Sequence, residues 1–170
     1  MIAVMAIISL SFTSCDKDSE VAYTLDGTWK GNMYIYYGSY ESVYSIIEFD
    51  QNDGLYSGTG YWTDFYDNNY WGNYSYRPST RFNWTVRNGN IYITFADGSS
   101  DVIIYNYSIS DNYFRGTIEA ANGNKADFSL TKYGSSYNWR DYYYNETPTG
   151  IDSLTSTSDS IMPKREVVIK

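Results

Sequence analysis

Hydrophobic and polar residues alternate along a stretch near the start of the chain, between Gly27 and Tyr37. One set of alternate positions is apolar: Trp29, Met33, Ile35 and Tyr37. The intervening positions are more polar: Lys30, Asn32, Tyr34 and Tyr36. A period of two places successive side chains on opposite faces of a β-strand. The pattern therefore predicts a first strand whose apolar face needs the inside of a barrel or a sandwich to cover it.

Seven further short strands are predicted, as far as about residue 133. They lie at 43–50, at 55–65, around Trp84 and Ile93, and at 101–110, 113–120 and 126–133. The second has Val43, Ser45, Ile47 and Phe49 inward; the fourth has Phe82, Trp84 and Val86; the fifth has Ile91, Ile93 and Phe95. Glycine-containing turns separate several of the strands, because glycine readily adopts positive φ. No segment shows the periodicity of a helix.

Eight strands joined in sequence by short turns predict an all-β fold, namely an antiparallel up-and-down β-barrel. Closing the sheet removes its two unpaired edges. A two-sheet sandwich is the alternative. An eight-stranded barrel is either filled by its own side chains or holds one small ligand. Gly58 and Gly60 alternate within the third strand, which predicts a strong bend or a close approach of backbones there.

The N-terminal segment 1–14 begins with apolar residues, ends mostly in small ones and contains no charged residue. It is too short to span a membrane and suits a signal peptide. It ends in Phe12-Thr13-Ser14-Cys15, which resembles the lipobox of bacterial lipoproteins, in which the cysteine after the cleavage site carries lipid. We therefore expect lipidation at Cys15. An ordinary secretory signal followed by an incidental free thiol is the alternative.

Residues 15–23 are expected to form the lipidated N-terminus and a tether. The acidic stretch Asp16-Lys17-Asp18-Ser19-Glu20 resembles the surface-export signal of Bacteroidota lipoproteins, and a solvated tether is the alternative. At the other end, residues 135–170 form an aromatic and then Ser/Thr-rich tail, which is expected to be partly disordered. It contains two triplets that resemble the O-glycosylation motif of the same phylum: Asp152-Ser153-Leu154 and Asp159-Ser160-Ile161.

Composition excludes several function classes. The 170-residue chain has a formal net charge of -8 and scattered basic residues, which argues against nucleic-acid binding. It contains no histidine, which excludes Ser-His-Asp triads and imidazole metal ligands. Its single cysteine excludes an internal disulfide and a cysteine-cluster metal site. We therefore predict no cofactor and no metal.

The triplet Gly27-Thr28-Trp29 opens the first of eight meander strands, and this arrangement resembles the G-x-W signature of lipocalins and related calycins. The resemblance covers about residues 24–134. It implies that Trp29 plugs one end of the barrel and that an Arg or Lys from just past the last strand packs across it. Lys132 matches that residue and shares its parity with Phe128 and Leu130. Trp29 and Lys132 are therefore expected to close the barrel.

Together with the lipobox, the chain resembles a lipocalin-like lipoprotein of Bacteroidota. The resemblance implies a location at the outer membrane, on the cell surface or the periplasmic face. Lipocalins bind diverse small molecules or have no known ligand, so the resemblance does not indicate a ligand. It leaves the oligomeric state open.

The longest break in the predicted meander is a loop at 66–80, which is rich in aromatic residues. These residues are the candidate ligand-binding set: Tyr66, Tyr70, Trp71, Tyr74 and Tyr76. Aromatic faces stack on sugar rings, and the neighbouring Asn and Asp side chains pair with hydroxyl groups. The same mixture forms adaptable protein-binding surfaces. A lid whose tyrosines serve only packing is the alternative.

Three functions remain open: non-catalytic binding of a glycan or small molecule, a surface protein–protein interaction module with a filled barrel, and a carboxylate-based hydrolase. A hydrolase needs two carboxylates at a defined separation in a cleft. The available pairs, Asp64 with Asp67 and Asp97 with Asp101, are interpreted as turn and cap residues. The preferred prediction is therefore binding without catalysis. A cavity would favour the first function, and a packed barrel with an exterior aromatic patch would favour the second.

Overall fold

The computed structural model describes residues 12–37, 40–52, 55–66, 79–134 and 166–167. Within these ranges the chain forms one helix and eleven strands. The elements are α1 (Phe12–Leu25), β1 (Gly27–Asn32), β2 (Ile35–Tyr37), β3 (Tyr40–Glu41), β4 (Tyr44–Gln51), β5 (Ser57–Phe65), β6 (Thr80–Arg87), β7 (Asn90–Phe95), β8 (Val102–Ile109), β9 (Tyr113–Ala120), β10 (Lys125–Gly134) and β11 (Glu166–Val167).

Eight of the strands form a closed antiparallel barrel in the order β1-β10-β9-β8-β7-β6-β5-β4. From β4 to β10, each strand pairs with its neighbour in the chain, and β1 closes the barrel by pairing with both β4 and β10. Trp29 of β1 lies opposite Ile47 on one side and Lys132 on the other. The predicted eight-stranded up-and-down barrel is confirmed, and the sandwich alternative is wrong.

The stretch predicted as one first strand is divided in two. After Asn32 the backbone leaves the barrel, and Tyr34 adopts φ 52°, a left-handed conformation that is uncommon for residues other than glycine. The side-chain oxygen of Asn32 accepts a hydrogen bond of 2.6 Å from the Tyr34 amide and stabilises this turn. The chain then continues as β2, which joins β3 and β11 in a small second sheet. Met33 and Ile35 are nevertheless fully buried, as their positions in the pattern predict.

A helix, α1, precedes the first barrel strand, so the expectation that no segment is helical is wrong. Ala22 and Leu25 of α1 are fully buried in the barrel core. The carboxylate of Asp18 accepts hydrogen bonds from the amides of Asn88 and Gly89, at 2.8 and 2.9 Å, in the turn between β6 and β7. Tertiary packing of this kind stabilises most short helices more than intrinsic propensity does. The segment expected as a tether is therefore largely part of a helix attached to the barrel.

Side chains from the strands fill the described interior of the barrel. Nearly all the predicted inward positions are buried: Ser45, Ile47, Phe49, Phe82, Trp84, Val86, Ile91, Ile93 and Phe95. Val43 is the exception, since it precedes β4 and is 44% exposed. Phe49 contacts Phe82, Trp84 and Phe114 edge to face, with ring centroids 5.3, 5.8 and 6.4 Å apart. Such edge-to-face contacts bring the positive edge of one ring to the negative face of the next.

Two glycines of β5 allow the aromatic rings to fill the barrel. A Cβ atom at Gly60 would overlap the carbonyl oxygen of Glu48 and the ring of Phe82. At Gly58 it would overlap the carbonyl oxygen of Asp50 and the ring of Trp84. The close approach predicted from these glycines is therefore confirmed.

Trp29 lies where α1, β1 and β10 meet. Its side chain is fully buried, and its indole N–H donates a hydrogen bond of 2.7 Å to the carbonyl oxygen of Leu25. Its ring packs edge to face on Phe114 at 5.7 Å. The Nζ atom of Lys132 lies 4.4 Å from the centroid of the Trp29 ring. A cation over an indole face stabilises a fold by about 0.5–2 kcal/mol.

The ammonium group of Lys132 also ties β10 to the end of α1. It donates hydrogen bonds to the carbonyl oxygens of Thr24, at 3.4 Å, and of Asp26. Burial lowers the pKa of Lys132 below its usual value, and the carboxylates of Asp26 and Asp111 oppose that effect. One side chain therefore joins the last strand, the indole of the first strand and the preceding helix.

A bulge in β8 turns Tyr107 towards the core. The pairing of β8 with β9 shifts register between Tyr105 and Ser108, and Asn106 adopts φ 49°. The extra residue leaves Asn106 exposed and packs Tyr107 against the core, edge to face on Phe114 at 6.0 Å. Burial raises the pKa of Tyr107 to about 12, and the negative charge of Asp18 contributes in the same direction.

We expect Trp29→Ala to lower the free energy of unfolding by about 3–5 kcal/mol, as removal of a large buried aromatic side chain does. Lys132→Ala should cost less, because its ammonium group is only half-buried. Urea unfolding of the two single variants and the double variant measures both effects and their coupling. The double variant should lose less than the sum of the single losses, since the cation and the ring contact each other. An unchanged melting temperature in Trp29→Ala would contradict the role of this residue as a barrel plug.

The pKa of Tyr107 predicts a loss of stability at high pH. The unfolded chain releases this proton near pH 10.0, whereas the folded protein retains it up to about pH 12. The unfolded state therefore binds fewer protons than the native state in that window, and stability falls as the pH rises through it. Tyr107→Phe removes this contribution, so the variant should gain stability relative to the wild type above pH 10.0. Equal slopes of unfolding free energy against pH in both proteins would contradict the assignment.

Candidate functional site

The two ends of the barrel differ in what covers them. The first, which we call the helix end, carries α1 and the turns at 52–56, 88–89 and 110–112. The second, which we call the loop end, carries the connections at 33–43, 66–79, 96–101 and 121–124. The antiparallel meander alternates the connections between the two ends. The candidate loop 66–80 therefore begins and ends at the opposite end of the barrel from Trp29, Lys132 and α1.

The end of β5 carries a buried carboxyl group close to the loop end. Asp64 shares its parity with Trp62, whose ring belongs to the core, and is 0% exposed. Its Oδ1 atom accepts hydrogen bonds from the hydroxyl of Ser45, at 2.6 Å, and from the indole N–H of Trp62, at 2.7 Å. Aspartate is almost never buried to this extent unless it is paired. These two donors offset the cost of removing the carboxyl group from water.

Tyr66 is the last described residue before the loop. It is 4% exposed and packs in the core cluster together with Met33 and Ile35 of the neighbouring connection. These three side chains lie at the loop end, above the layer that contains Trp62 and Asp64. We call Ser45, Trp62, Asp64 and Tyr66 the mouth group. The other predicted ligand-binding residues, Tyr70, Trp71, Tyr74 and Tyr76, lie outside the described residues.

Two of the four acidic residues considered for catalysis, Asp64 and Asp97, have different surroundings. Asp97 lies in the turn after β7, where Oδ1 accepts a hydrogen bond of 2.9 Å from the Ser99 amide and Oδ2 one of 3.2 Å from the Thr80 hydroxyl. It is a turn residue, as predicted. The same interpretation of Asp64 is wrong, because this residue lies within β5 and faces the interior. Asp67 lies outside the described residues, as do residues 68–78 of the proposed loop, whereas Thr80, predicted as its last residue, is the first residue of β6.

The mouth group combines a hydrogen-bond acceptor with aromatic rings. The acceptor, the Asp64 carboxyl group, lies beside the edge of the Trp62 ring, and Tyr66 follows two residues later in the chain. A carboxyl oxygen accepts hydrogen bonds from the hydroxyl or amino groups of a ligand.

Over the ranges that the structure describes, no cluster of three acidic or cysteine side chains could hold a metal ion. Within the same ranges, no helix is long and apolar enough to cross a membrane.

Sequence reasoning missed Ser45 and Asp64 as site residues. The signal was nevertheless present, because Asp64 continues the inward series Gly58, Gly60 and Trp62, and Ser45 belongs to the inward series of β4. A charged residue at an inward position of a barrel strand is unusual enough to indicate a site. Its position next to a loop led to the turn interpretation instead.

Comparison with known proteins agrees with this architecture. The family model of the lipocalin-like domain matches residues 25–116, from the end of α1 into β9, which is more than half of the 170-residue chain. The matched range contains Gly27-Thr28-Trp29 and the whole mouth group, and it ends before Lys132. No curated protein matches the chain significantly. The chain therefore belongs to the lipocalin-like family, whose barrel is generally a non-enzymatic fold suited to binding small molecules.

Proposed function

We propose that this protein is an outer-membrane lipoprotein that binds a hydroxyl-bearing small molecule or a glycan at the loop end of its barrel, without catalysis. The observation that carries the proposal is Asp64, a fully buried carboxyl group at an inward position just inside that end. The lipocalin-like family membership supports the general activity.

The surroundings of Asp64 suit recognition of a polar ligand. A leucine at this position would fill the same interior without the cost of burying a carboxyl group. The Ser45 hydroxyl and the Trp62 indole both bind Oδ1 and hold the carboxyl group in one orientation. A carboxylate that is already oriented loses little entropy when a hydroxyl group donates to it. A hydrogen bond to a charged acceptor contributes about 1.5–3 kcal/mol.

The aromatic members of the mouth group suit the apolar part of the same ligand. Sugars present C–H faces as well as hydroxyl groups, and aromatic rings pack against those faces. Tyr66 and Asp64 are both buried in this structure, so a ligand that contacts them requires side chains at the loop end to move. The proposal assigns the loop residues Tyr70, Trp71, Tyr74 and Tyr76 to the flanks of the ligand. Trp71 is the anchor, because its ring offers the largest stacking area.

Catalysis fits the geometry less well than binding. Glycoside hydrolysis uses two carboxyl groups that face each other across a cleft with room for substrate. Asp97 is engaged in capping a turn, and Asp64 is enclosed by the core. The arrangement therefore favours binding over a carboxylate-based hydrolase.

A second function, a surface interaction module with a filled barrel, would use an aromatic cluster on the outer wall. Ile46 and Phe65 point outward from β4 and β5 but are only 2% and 8% exposed, and the half-buried Tyr44 and Tyr61 pack against them. The rings of Tyr44 and Phe65 stack at 4.5 Å with an angle of 14°. Lys30 lies over the Tyr44 ring at 4.3 Å. This cluster lies on the outer wall, so substitutions there separate the second function from binding at the mouth group.

The proposed location rests on Cys15 and the segment before it. The apolar stretch 1–14 ends in a sequence similar to a lipobox, and the acidic residues after Cys15 resemble a surface-export signal of Bacteroidota. A lipid on Cys15 would hold the protein at the outer membrane, on the cell surface or on its periplasmic face. If the segment 1–14 is removed, the rest of α1 begins at the lipidated Cys15.

We expect Cys15→Ala to release the protein from the membrane fraction into the soluble fraction, because the substitution removes the atom that carries the lipid. Cell fractionation with immunoblotting measures the change, and intact-mass analysis of the wild type measures the lipid itself. Ser19→Ala, which leaves the cysteine in place, is the control and should remain membrane-bound. A wild-type mass that corresponds to an unmodified thiol would refute the lipid anchor.

We expect Asp64→Asn to weaken ligand binding by roughly 10–100-fold, the equivalent of one charged hydrogen bond. Trp71→Ala should abolish most binding and leave the melting temperature nearly unchanged. Glycan-array and affinity-gel screening of the mature chain carrying Cys15→Ala identifies the ligand, and calorimetry then compares the variants. Tyr44→Leu on the outer wall is the control and should bind as the wild type does.

Two results would contradict binding at the mouth group. Wild-type binding that persists in both Asp64→Asn and Trp71→Ala, and fails in Tyr44→Leu, would favour the surface interaction module. A large loss of stability in Trp71→Ala would make Trp71 a core residue and would leave the loop without a ligand anchor.

A further inference from the structure

Exposed large apolar side chains concentrate at the helix end. Among the described residues, five of seven such side chains lie there: Tyr23, Leu55, Tyr56, Tyr113 and Tyr133. The other two, Val43 and Ile103, lie at the loop end. Single exposed apolar residues are ordinary on protein surfaces, whereas a group on one face marks a surface that contacts something.

Three of the five project beyond the ends of the strands. Tyr23 lies on α1 and is 78% exposed, while the neighbouring Ala22 and Leu25 are buried against the barrel. Leu55 and Tyr56 lie in the turn between β4 and β5 and are 50% and 46% exposed. We call Tyr23, Leu55 and Tyr56 the end-face residues.

Hydrogen bonds place α1 and this turn in the same sector of the barrel. Near its start, α1 is fixed to the turn between β6 and β7 through Asp18. Just after its end, the Asp26 carboxylate accepts a hydrogen bond of 2.9 Å from the amide of Gln51, the last residue of β4. The β4–β5 turn lies between these points and is tied to β6 by a hydrogen bond of 2.7 Å from the Val86 amide to the Tyr56 carbonyl oxygen.

The same end of the barrel leads to Cys15. Cys15 lies in α1, three residues before Asp18. The helical rise puts these two residues about 4.5 Å apart along the axis. A lipid on Cys15 would therefore enter the bilayer within about one helical turn of the helix end.

We infer that the helix end is a membrane-docking face, on which the end-face residues contact the lipid headgroup region beside the Cys15 anchor. This inference rests on the lipid anchor of the proposed function and adds an orientation to it. Tyrosine is enriched at membrane–water interfaces because its ring is apolar and its hydroxyl group is polar. The loop end, with the mouth group, then points away from the membrane.

The charges around this face indicate which kind of lipid surface it fits. The exposed cations at this end, Lys17, Arg87 and Arg115, are interspersed with exposed acidic residues and form no basic cluster; these are Glu20, Asp26, Asp50 and Asp111. Binding to anionic lipids instead depends on clusters of Lys and Arg near the surface. The helix end therefore contacts a zwitterionic surface through its tyrosines and leucine, and its docking depends little on salt.

The lipid anchor makes a direct test possible, because Cys15 is the sole cysteine and is blocked when it carries lipid. Leu55→Cys and Val43→Cys each introduce one free thiol, at positions of similar exposure on opposite ends of the barrel. Each lipidated, full-length mature protein is labelled with a small fluorophore and reconstituted into phosphatidylcholine vesicles that contain a lipid-borne quencher. Flotation of the vesicles and intact mass establish that the protein is anchored.

We expect the Leu55→Cys label to be quenched at least about twofold more than the Val43→Cys label, which lies roughly 20 Å further from the bilayer along the tilted strands. The difference should persist between about 0.1 M and about 1 M salt. Adding Tyr23→Ser and Tyr56→Ser to Leu55→Cys should reduce the quenching while flotation stays complete.

Separate outcomes overturn the orientation and the anchor. Complete flotation with equal quenching at both positions, or with stronger quenching from Val43→Cys, overturns the docking face and leaves the anchor intact. Protein that carries no lipid and does not float overturns both. Shielding of the Leu55→Cys label that depends on protein concentration without vesicles would show that this face joins two copies of the chain, and it would overturn the inference as well.

Discussion

The contacts of the buried Trp29 ring join the parts of the molecule that meet where the barrel closes. One indole ring meets the end of α1 through its N–H, the last strand through the Lys132 ammonium group, and the interior through Phe114. Phe114 continues the contacts to Phe49 and Phe128, at 6.4 and 4.8 Å. The N-terminal helix, the closing strand pair and the aromatic core therefore form one cooperative unit, and disturbing any of them disturbs the others.

A filled interior changes what binding by this barrel requires. The described core consists of interlocking rings, so a ligand gains space only by moving side chains that now contact each other. Such rearrangement reduces the affinity by the free energy of the displaced packing. Tyr66 is buried at the start of the loop. Asp64 orients Trp62 and Ser45 in this packed state, and under the proposed function it would also accept a hydrogen bond from the ligand.

Much of the fold could be predicted because each barrel strand has one face in a dry interior and one outside, which imposes alternation on the sequence. Parity alone placed Phe82, Trp84 and Ile93 inward and indicated that Lys132 belongs with Phe128 and Leu130. Gly58 and Gly60 predicted a strong bend or a close approach of backbones, and the structure shows that they also leave the space that the Trp84 and Phe82 rings occupy.

The missed features depend on contacts between distant residues or on single unusual backbone conformations. The helix α1 is stabilised by Asp18 on a turn about seventy residues away, which local periodicity cannot report. The break after Asn32 and the bulge at Asn106 each depend on one residue with positive φ. The candidate site was only partly predictable, since Asp64 next to a loop has the same local sequence appearance whether it caps a turn or faces a core.

The pairing of β1 with β10 has a consequence for how the chain folds. It brings Asn32 opposite Ser129 and Trp29 opposite Lys132, whereas the pairs from β4 to β10 join consecutive strands. Loop-closure entropy makes such a long-range contact late and slow to form. Until β10 is synthesised and docked, the nascent sheet has two open edges with unpaired amide and carbonyl groups, which are templates for aggregation. Because Lys132 reaches Thr24 and Asp26 from that same seam, the last strand seals the edges and locks the N-terminal helix in a single event.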